Sequence, residues 1–442
     1  MQAFPKYDSY KESGVEWIGE IPKEWKVCRN LGLFSERKEV NKPEMELLSV
    51  TIKKGVIKQG EITIKKDSSN EDKSKYKVVN VGDLAYNKMR MWQGAIGMSK
   101  YDGIVSPAYI ILNTRNKKYA QFFHYLYRTG LFIKEANRHS YGLCGDMNSL
   151  RYEDFKAIYS PVPPENEIDR IVNFLDQKTA EIDETITKKK RLIELLKEQK
   201  AILINRAVTK GLNPDTPMRD SGIEWIGKIP KHWEKTKLKY FIDLLSGFAF
   251  KSSQYSVNNT DIPLLRGINI NPGIIKWGDV VFWSKEKVKK LERYLLKEDD
   301  LVIGMDRPWI KSGIRVAKVA ANDIPSLLLQ RVARIRSIKG LQQDYLEQIL
   351  KSDAFLAYFE PMMSGISVPH ISPEQIANFE TYIPPKDEQI EICKTITRIF
   401  NESNLVIEKE IQGVLALEEY KSIIISEAVT GKIKIEGKIN AE

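Results

Sequence analysis

The sequence has no apolar run near the ~18 residues that a membrane-spanning helix requires, and its opening stretch, MQAFPKYDSYKESG, is too polar for a secretory signal. A soluble, cytoplasmic protein with no membrane association is expected. Cysteine is scarce: Cys28, Cys144 and Cys393 are odd in number and widely spaced, which suits reduced thiols and argues against a disulfide framework. The 4 histidines, His124, His139, His232 and His370, are dispersed, and no HExxH or CxxC pattern occurs, so no metal site is expected. Nor is there a GxxxxGK(S/T) loop or a GxGxxG turn to cradle a nucleotide cofactor. The Asn-Pro-Pro-aromatic tetrapeptide of amino-methyltransferases is missing too, since Val162-Pro163-Pro164-Glu165 and Ile383-Pro384-Pro385-Lys386 lack both the amide and the aromatic. Glu24-Trp25-Lys26 and Glu36-Arg37-Lys38 match half of a metal-dependent nuclease motif, with no upstream Pro-Asp partner. No catalytic centre is recognisable, and no cofactor is expected on the chain itself.

What is present is a repeat. Ser13 to Trp25 reads SGVEWIGEIPKEW and Ser221 to Trp233 reads SGIEWIGKIPKHW, differing only at Val15/Ile223, Glu20/Lys228 and Glu24/His232. Ser13 and Ser221 lie too far apart for a short solenoid repeat of roughly 20–50 residues, so the chain is a tandem duplication of whole domains. Within the motif, Trp17, Ile18, Ile21 and Trp25 suit a core plug, with Gly19 and Pro22 shaping the turn; a docking surface is the other reading. At 442 residues the chain is long enough for such domains to bury their own cores. Basic residues outnumber acidic ones, 69 to 59, for a net charge of +10, which suits a polyanionic partner.

In the first copy, Leu47–Ile52, Lys77–Val81, Asp83–Met89 and Ser106–Leu112 read as strands and Lys118–Thr129 as a helix. In the second, strands are expected at Ile262–Ile270, Asp300–Met305 and Leu327–Ile335. Each mixed unit then gives way to a long helical pattern. From Glu167 to Thr209 there is neither Pro nor Gly, and Ile171, Leu175, Ile182, Ile186, Leu192, Leu195, Leu196, Leu203 and Val208 recur at threes and fours. Such a helix would be roughly 65 Å long and needs a partner along its length. Glu388–Val429 supplies one, through Ile392, Ile396, Ile399, Val406, Ile411, Leu415, Ile424 and Ile425, with Gly413 a mild interruption. The expected fold is α+β: two similar mixed α/β domains separated by two long helices forming an antiparallel coiled coil, related as a pseudo-twofold tandem duplication. The expected boundaries are 1–161 and 213–382 for the mixed domains, and 162–212 and 383–442 for the helical segments.

Two variable units, each introduced by S-G-(V/I)-E-W-I-G-x-I-P-x-x-W and each closed by (V/I)-P-P-x-(N/D)-E before a long helix, resemble the specificity subunit of a Type I restriction-modification system. The resemblance covers essentially the whole chain. It implies that each mixed unit is a target recognition domain reading half of a split double-stranded DNA sequence, and that the helices space the halves and seat two methyltransferase subunits. Restriction subunits would join through the complex, S-adenosylmethionine and ATP would bind the partners, and this chain would be non-catalytic. A nuclease or methyltransferase with diverged motifs, and an adaptor that binds no DNA, are the alternatives.

The candidate DNA contacts combine basic and aromatic side chains in loops. Lys88, Arg90 and Trp92 follow a predicted strand in the first copy; Arg307, Trp309 and Lys311 follow the corresponding one in the second, where each Trp equally suits a core cap. Arg138 and His139 in the first copy, and Ser367 and His370 in the second, precede the closing segments. Arg266 and Asn269 are further candidates, against a plain connecting loop.

Overall fold

The computed structural model describes residues 4–52, 54–61, 72–141, 148–224, 226–363 and 369–436. Packing gathers the chain into two units, Met1–Arg191 with Glu410–Glu442, and Leu192–Lys409. The sequence reading gives each long helix a segment of its own; in the fold, each is divided between the units.

In the first unit, Tyr10–Glu12 pairs antiparallel with Glu20–Pro22, and the repeat motif forms the loop between them. Ser13 N donates to Gly19 O at 3.1 Å, and Gly19, at φ 65°, takes a left-handed conformation that a side chain would strain. The turn delivers Ile18, Ile21 and Trp25 into the core, alongside Phe122, Phe123, Ile168, Ile171 and Leu175. Trp25 is fully buried, and its Nε1 donates to Glu167 Oε2 at 3.0 Å. Glu167 is the last residue of the closing motif, so the two repeat signatures meet in one hydrogen bond. Lys26–Arg29 and Tyr159–Val162 pair beside it. The sheet above runs in the order Phe34–Glu36, Tyr109–Thr114, Leu84–Asn87, Ile96–Met98, antiparallel throughout.

The second unit is built to the same plan. Met218–Asp220 pairs with Lys228–Pro230, Ser221 N donates to Gly227 O at 2.9 Å, and Trp233 Nε1 reaches both Glu388 oxygens at 3.2 Å. Glu234–Lys237 pairs with Glu380–Ile383. Its sheet, Ile242–Ser246, Val332–Ser337, Leu301–Gly304, Val316–Lys318, has the order and the antiparallel sense of the first. The motif's structural role is thus realised in both copies.

The long helices span Glu165–Lys210 and Lys386–Val429. Pro164 and Pro385 precede them, each first turn is acidic, and each chain leaves through a left-handed glycine, Gly211 at φ 75° and Gly431 at φ 73°. In the first unit Lys421 meets Asp183 at 2.6 Å while Glu410 meets Lys189 at 2.7 Å, so numbering rises along one helix as it falls along the other. Gly413 lies where Lys189 crosses: a Cβ there would come within 3.4 Å of its Nζ. In the second unit, Lys200 donates to Asn404 at 2.8 Å, whereas Ala207 and Val208 share a core with Ile392 and Ile396, again antiparallel.

Two expected strands are each split. Leu327–Ile335 is not one strand but two, Leu327–Leu328 and Val332–Ser337, because the backbone turns through Arg331 at φ 68°. Ile262–Ile270 likewise gives Ile262–Leu265 and Ile270–Asn271, parted by a 3-10 turn at Gly267–Asn269. The helices Gln343–Lys351 and Asp353–Met363 were hidden in the sequence, the second by its internal Pro361. Ile171, Leu175, Ile182 and Ile186 are buried as the stripe requires, but Leu192, Leu195, Leu203, Val406, Ile411 and Leu415 are exposed. The apolar stripe there exceeds what one partner helix covers. No helix among the described residues is long and apolar enough to cross a membrane.

Candidate nucleic-acid interface

In the first unit, strand Leu84–Asn87 leads into a tight 3-10 turn, Met91–Gln93. Leu150 N donates to Lys88 O at 2.9 Å, which holds the segment before the closing strand against the loop. Lys88 is half-buried and Arg90 exposed; Trp92 is half-buried, its Nε1 donating to Met89 O at 3.0 Å. Trp92 thus braces its own loop. Helix Gly130–Arg138, capped by Thr129, ends in Arg138 and His139. Arg138 pairs with Glu16 at 2.9 Å and Glu135 at 3.4 Å, and His139 meets Glu135 at 3.2 Å. Both are engaged by carboxylates.

The second unit stitches three distant segments together. Met305 N donates to Arg331 O at 2.9 Å, Arg307 N to Pro369 O at 2.7 Å and Ile371 N to Met305 O at 2.9 Å. This brings the candidates Arg307 and His370 to one place. It also brings Asp306, Arg315 and Arg331, which the sequence reading missed. His370 Nδ1 donates to Asp306 Oδ1 at 2.7 Å, and Arg331 pairs with the same carboxylate at 3.4 Å. Arg315 lies beneath, its Nη1 donating to Asp306 O and its Nε to Ile270 O, each at 3.0 Å. Burial lowers its pKa from the ordinary guanidinium value, opposed by the Asp306 charge. Ser367 lies outside the described residues.

Trp309 packs on Phe355 and Phe359, at 6.0 and 5.7 Å between ring centres, which is the core-cap role. Lys311 is exposed at the tip of the Trp309–Ile310 and Gly313–Ile314 hairpin. Arg266 pairs with Asp279 at 2.8 Å. Asn269 is buried: its Oδ1 accepts from Arg266 N and its Nδ2 donates to Lys276 O and Asp279 O, each at 3.0 Å. Its amide builds the loop and presents no free edge. No signal in Gln330-Arg331, which has neither Gly nor Pro, marks the turn that places Arg331.

Each unit also has a groove between its mixed domain and its helices. In the first unit it measures about 1100 Å³ and is lined by His124, Arg128, Asp176, Asp183 and Lys421 among others. Met98 N donates to His124 Nδ1 at 3.0 Å, and burial pushes the imidazole pKa down to about 3, so the ring is neutral. The groove of the second unit, about 690 Å³, is more apolar, with Ile204, Ile274, Ile314, Ile396 and Phe400. Among the described residues no three His, Cys, Asp or Glu side chains gather as a metal ion would require.

Residues 230–416 match the family model for the Type I restriction modification DNA specificity domain. The EcoAI specificity subunit of Escherichia coli is 32% identical over 48% of this chain and 36% of its own length. The chain therefore matches only about a third of that relative. The MjaVIII specificity subunit of Methanocaldococcus jannaschii is 27% identical over 81% of this chain and 80% of its own. Among solved structures, a chain from work on complex assembly and conformational transition of the type I R-M system gives a TM-score of 0.68 at 15% identity, covering 92% of this chain and 98% of that one. The HsdS subunit from Thermoanaerobacter tengcongensis gives 0.54 at 18% identity, covering 93% and 98%. These structures share the fold.

Proposed function

We propose, from the premise that the chain belongs to the family of Type I restriction-modification specificity subunits, that it reads a bipartite double-stranded DNA target, one half with each unit, and directs an adenine methyltransferase to it. The observation that carries this reading is the recurrence of one frame around unlike exposed loops: the same Trp–Glu bond and sheet order hold Lys88 and Arg90 in one unit, and Arg307, Arg331 and His370 in the other. Basic side chains contact phosphates and fix register, while fixed planar groups discriminate base edges. Two methyltransferase subunits would seat on the apolar residues that the long helices leave exposed, and restriction subunits would join through the complex. S-adenosylmethionine and ATP belong to those partners, and the chain performs no catalytic step.

The test is a map of N6-methyladenine across a host genome, with and without this gene, beside its methyltransferase. A split motif that appears only with the gene is the expected result; a continuous motif, or none with an active methyltransferase, would contradict the reading. Removing seven residues from each long helix is expected to shorten the gap by about 3 base pairs with both halves unchanged, from 1.5 Å per helical residue and 3.4 Å per base pair.

A further inference from the structure

Arg331 combines two features that Arg138 and Arg307 show singly, a carboxylate on its Nη1 and a left-handed backbone. It leaves the backbone at φ 68°, and Arg307 nearby does so at φ 45°, conformations that cost free energy for a residue with a Cβ and that cluster where function requires them. Its carbonyl receives Met305 N, and its Nη1 pairs with Asp306 Oδ1 at 3.4 Å. Asp306 is itself immobilised: its carbonyl accepts from Arg315, its backbone bridges to His370, and its Oδ1 takes the His370 Nδ1 proton. With that proton on the carboxylate bond, the 3.5 Å approach of Arg331 Nη1 to His370 Nδ1 is proximity rather than a hydrogen bond. The Arg331 side chain remains 60% exposed, and Nε and Nη2 have no hydrogen-bond partner among the described residues.

A guanidinium with one edge pinned and the other open is a planar fork with a fixed direction. Phosphate contacts need only a positive charge within reach, but a base edge needs two donors at set spacing, and the O6 and N7 acceptors of guanine match that fork. Resting on the function proposed above, we propose that Arg331 reads a guanine in the half-site of the second unit, with Asp306 as its positioning residue. Arg307 has the same strained backbone, but no side-chain clamp is seen on it among the described residues. It contributes charge to the DNA backbone.

The test expresses the full-length chain and its variants with the methyltransferase partner and maps N6-methyladenine. Arg331→Ala and Arg331→Lys are both expected to make a single G·C position of one half degenerate, preference falling roughly 5- to 150-fold, while the other half keeps its sequence and serves as the internal control for folding. Asp306→Asn is expected to relax that same position to a smaller degree. Arg307→Ala is expected to lower methylation evenly across sites with the motif intact. An intact motif in Arg331→Ala, or full preference retained in Arg331→Lys, would overturn the assignment, since a point charge would then suffice. A wild-type chain with no gene-dependent split motif would sink the function itself, and this assignment with it.

Discussion

The two units agree where they are closed and differ where they are open. Trp25–Glu167 and Trp233–Glu388 are the same joint, and the sheets share one strand order. A subtler match is Asp83 and Asp300, each buried at the start of the second sheet strand. Asp83 Oδ2 accepts from Asn80 N at 2.9 Å and Asp300 Oδ2 from Lys297 N at 2.7 Å, the same turn in both copies. The arginine that neutralises them is not the same: Arg37 follows the first strand of one sheet, whereas Arg336 lies on the last strand of the other. The turn fixes the carboxylate, and the cation comes from a different strand of the sheet in each copy. The grooves diverge further. Lys421, Ser422 and Ile425 in one correspond to Lys200, Ala201 and Ile204 in the other, but around them the first unit places charged groups and the second Ile and Phe. Backbone hydrogen bonding preserves the frame, and side chains are free to change wherever that bonding does not need them.

The equivalence of the joints is tested most severely by Trp25→Ala and Trp233→Ala. Each removes a fully buried indole and is expected to cost about 3–5 kcal/mol, with faster amide exchange confined to its own unit. A loss shared by both units would break the comparison.

Acid sharpens the difference between them. Because the folded His124 pKa is depressed to about 3, the unfolded chain binds a proton below the ordinary histidine value that the folded chain does not. Stability from this group is present in full above about pH 6.5 and falls as the pH drops toward 3, by at most about 2 kcal/mol at pH 5. His232 and His370 in the second unit are exposed. The first unit is therefore expected to lose amide protection first at pH 5, and His124→Gln to remove that sensitivity.

The smallest effect separates the two helix ends. Alanine at Gly211 or Gly431 forces a Cβ into left-handed backbone, at roughly 1–2 kcal/mol. At Gly211 that Cβ stands 3.0 Å from a Glu388 carboxylate oxygen, but at Gly431 it collides with the Pro22 ring. Gly431→Ala is expected to lower the urea midpoint more than Gly211→Ala; equal shifts would mean that the Pro22 turn yields.

The sequence made the duplicated motif, the Trp core and both long helices legible, because each rests on local spacing that repeats. It did not disclose how the helices divide between units, since periodicity reports that a face is apolar and not what covers it. The Asp306, Arg331 and His370 cluster was illegible for a related reason. Its carboxylate reaches across 25 residues to the arginine and 64 to the histidine, and no motif spans such gaps. Arg307 and His370 were chosen by type and loop position; Asp306, which orients the histidine, was not. Asn269 shows the converse, a polar loop residue whose bonding capacity is used up internally.

The first unit's core includes Ile424, Ala428, Val429, Ile433 and Ile435, and Lys434 N donates to Pro5 O at 2.8 Å. Its two parts are separated by the whole of Leu192–Lys409, whereas the second unit is one continuous stretch. On the ribosome the order of completion is therefore the reverse of the order of synthesis. The second unit has all its residues before the first can close, and Trp25 waits roughly 20–80 s, at 5–20 residues per second, for the strip from Ile424 onward that completes its core. During that interval the first unit lacks the strip that completes its core.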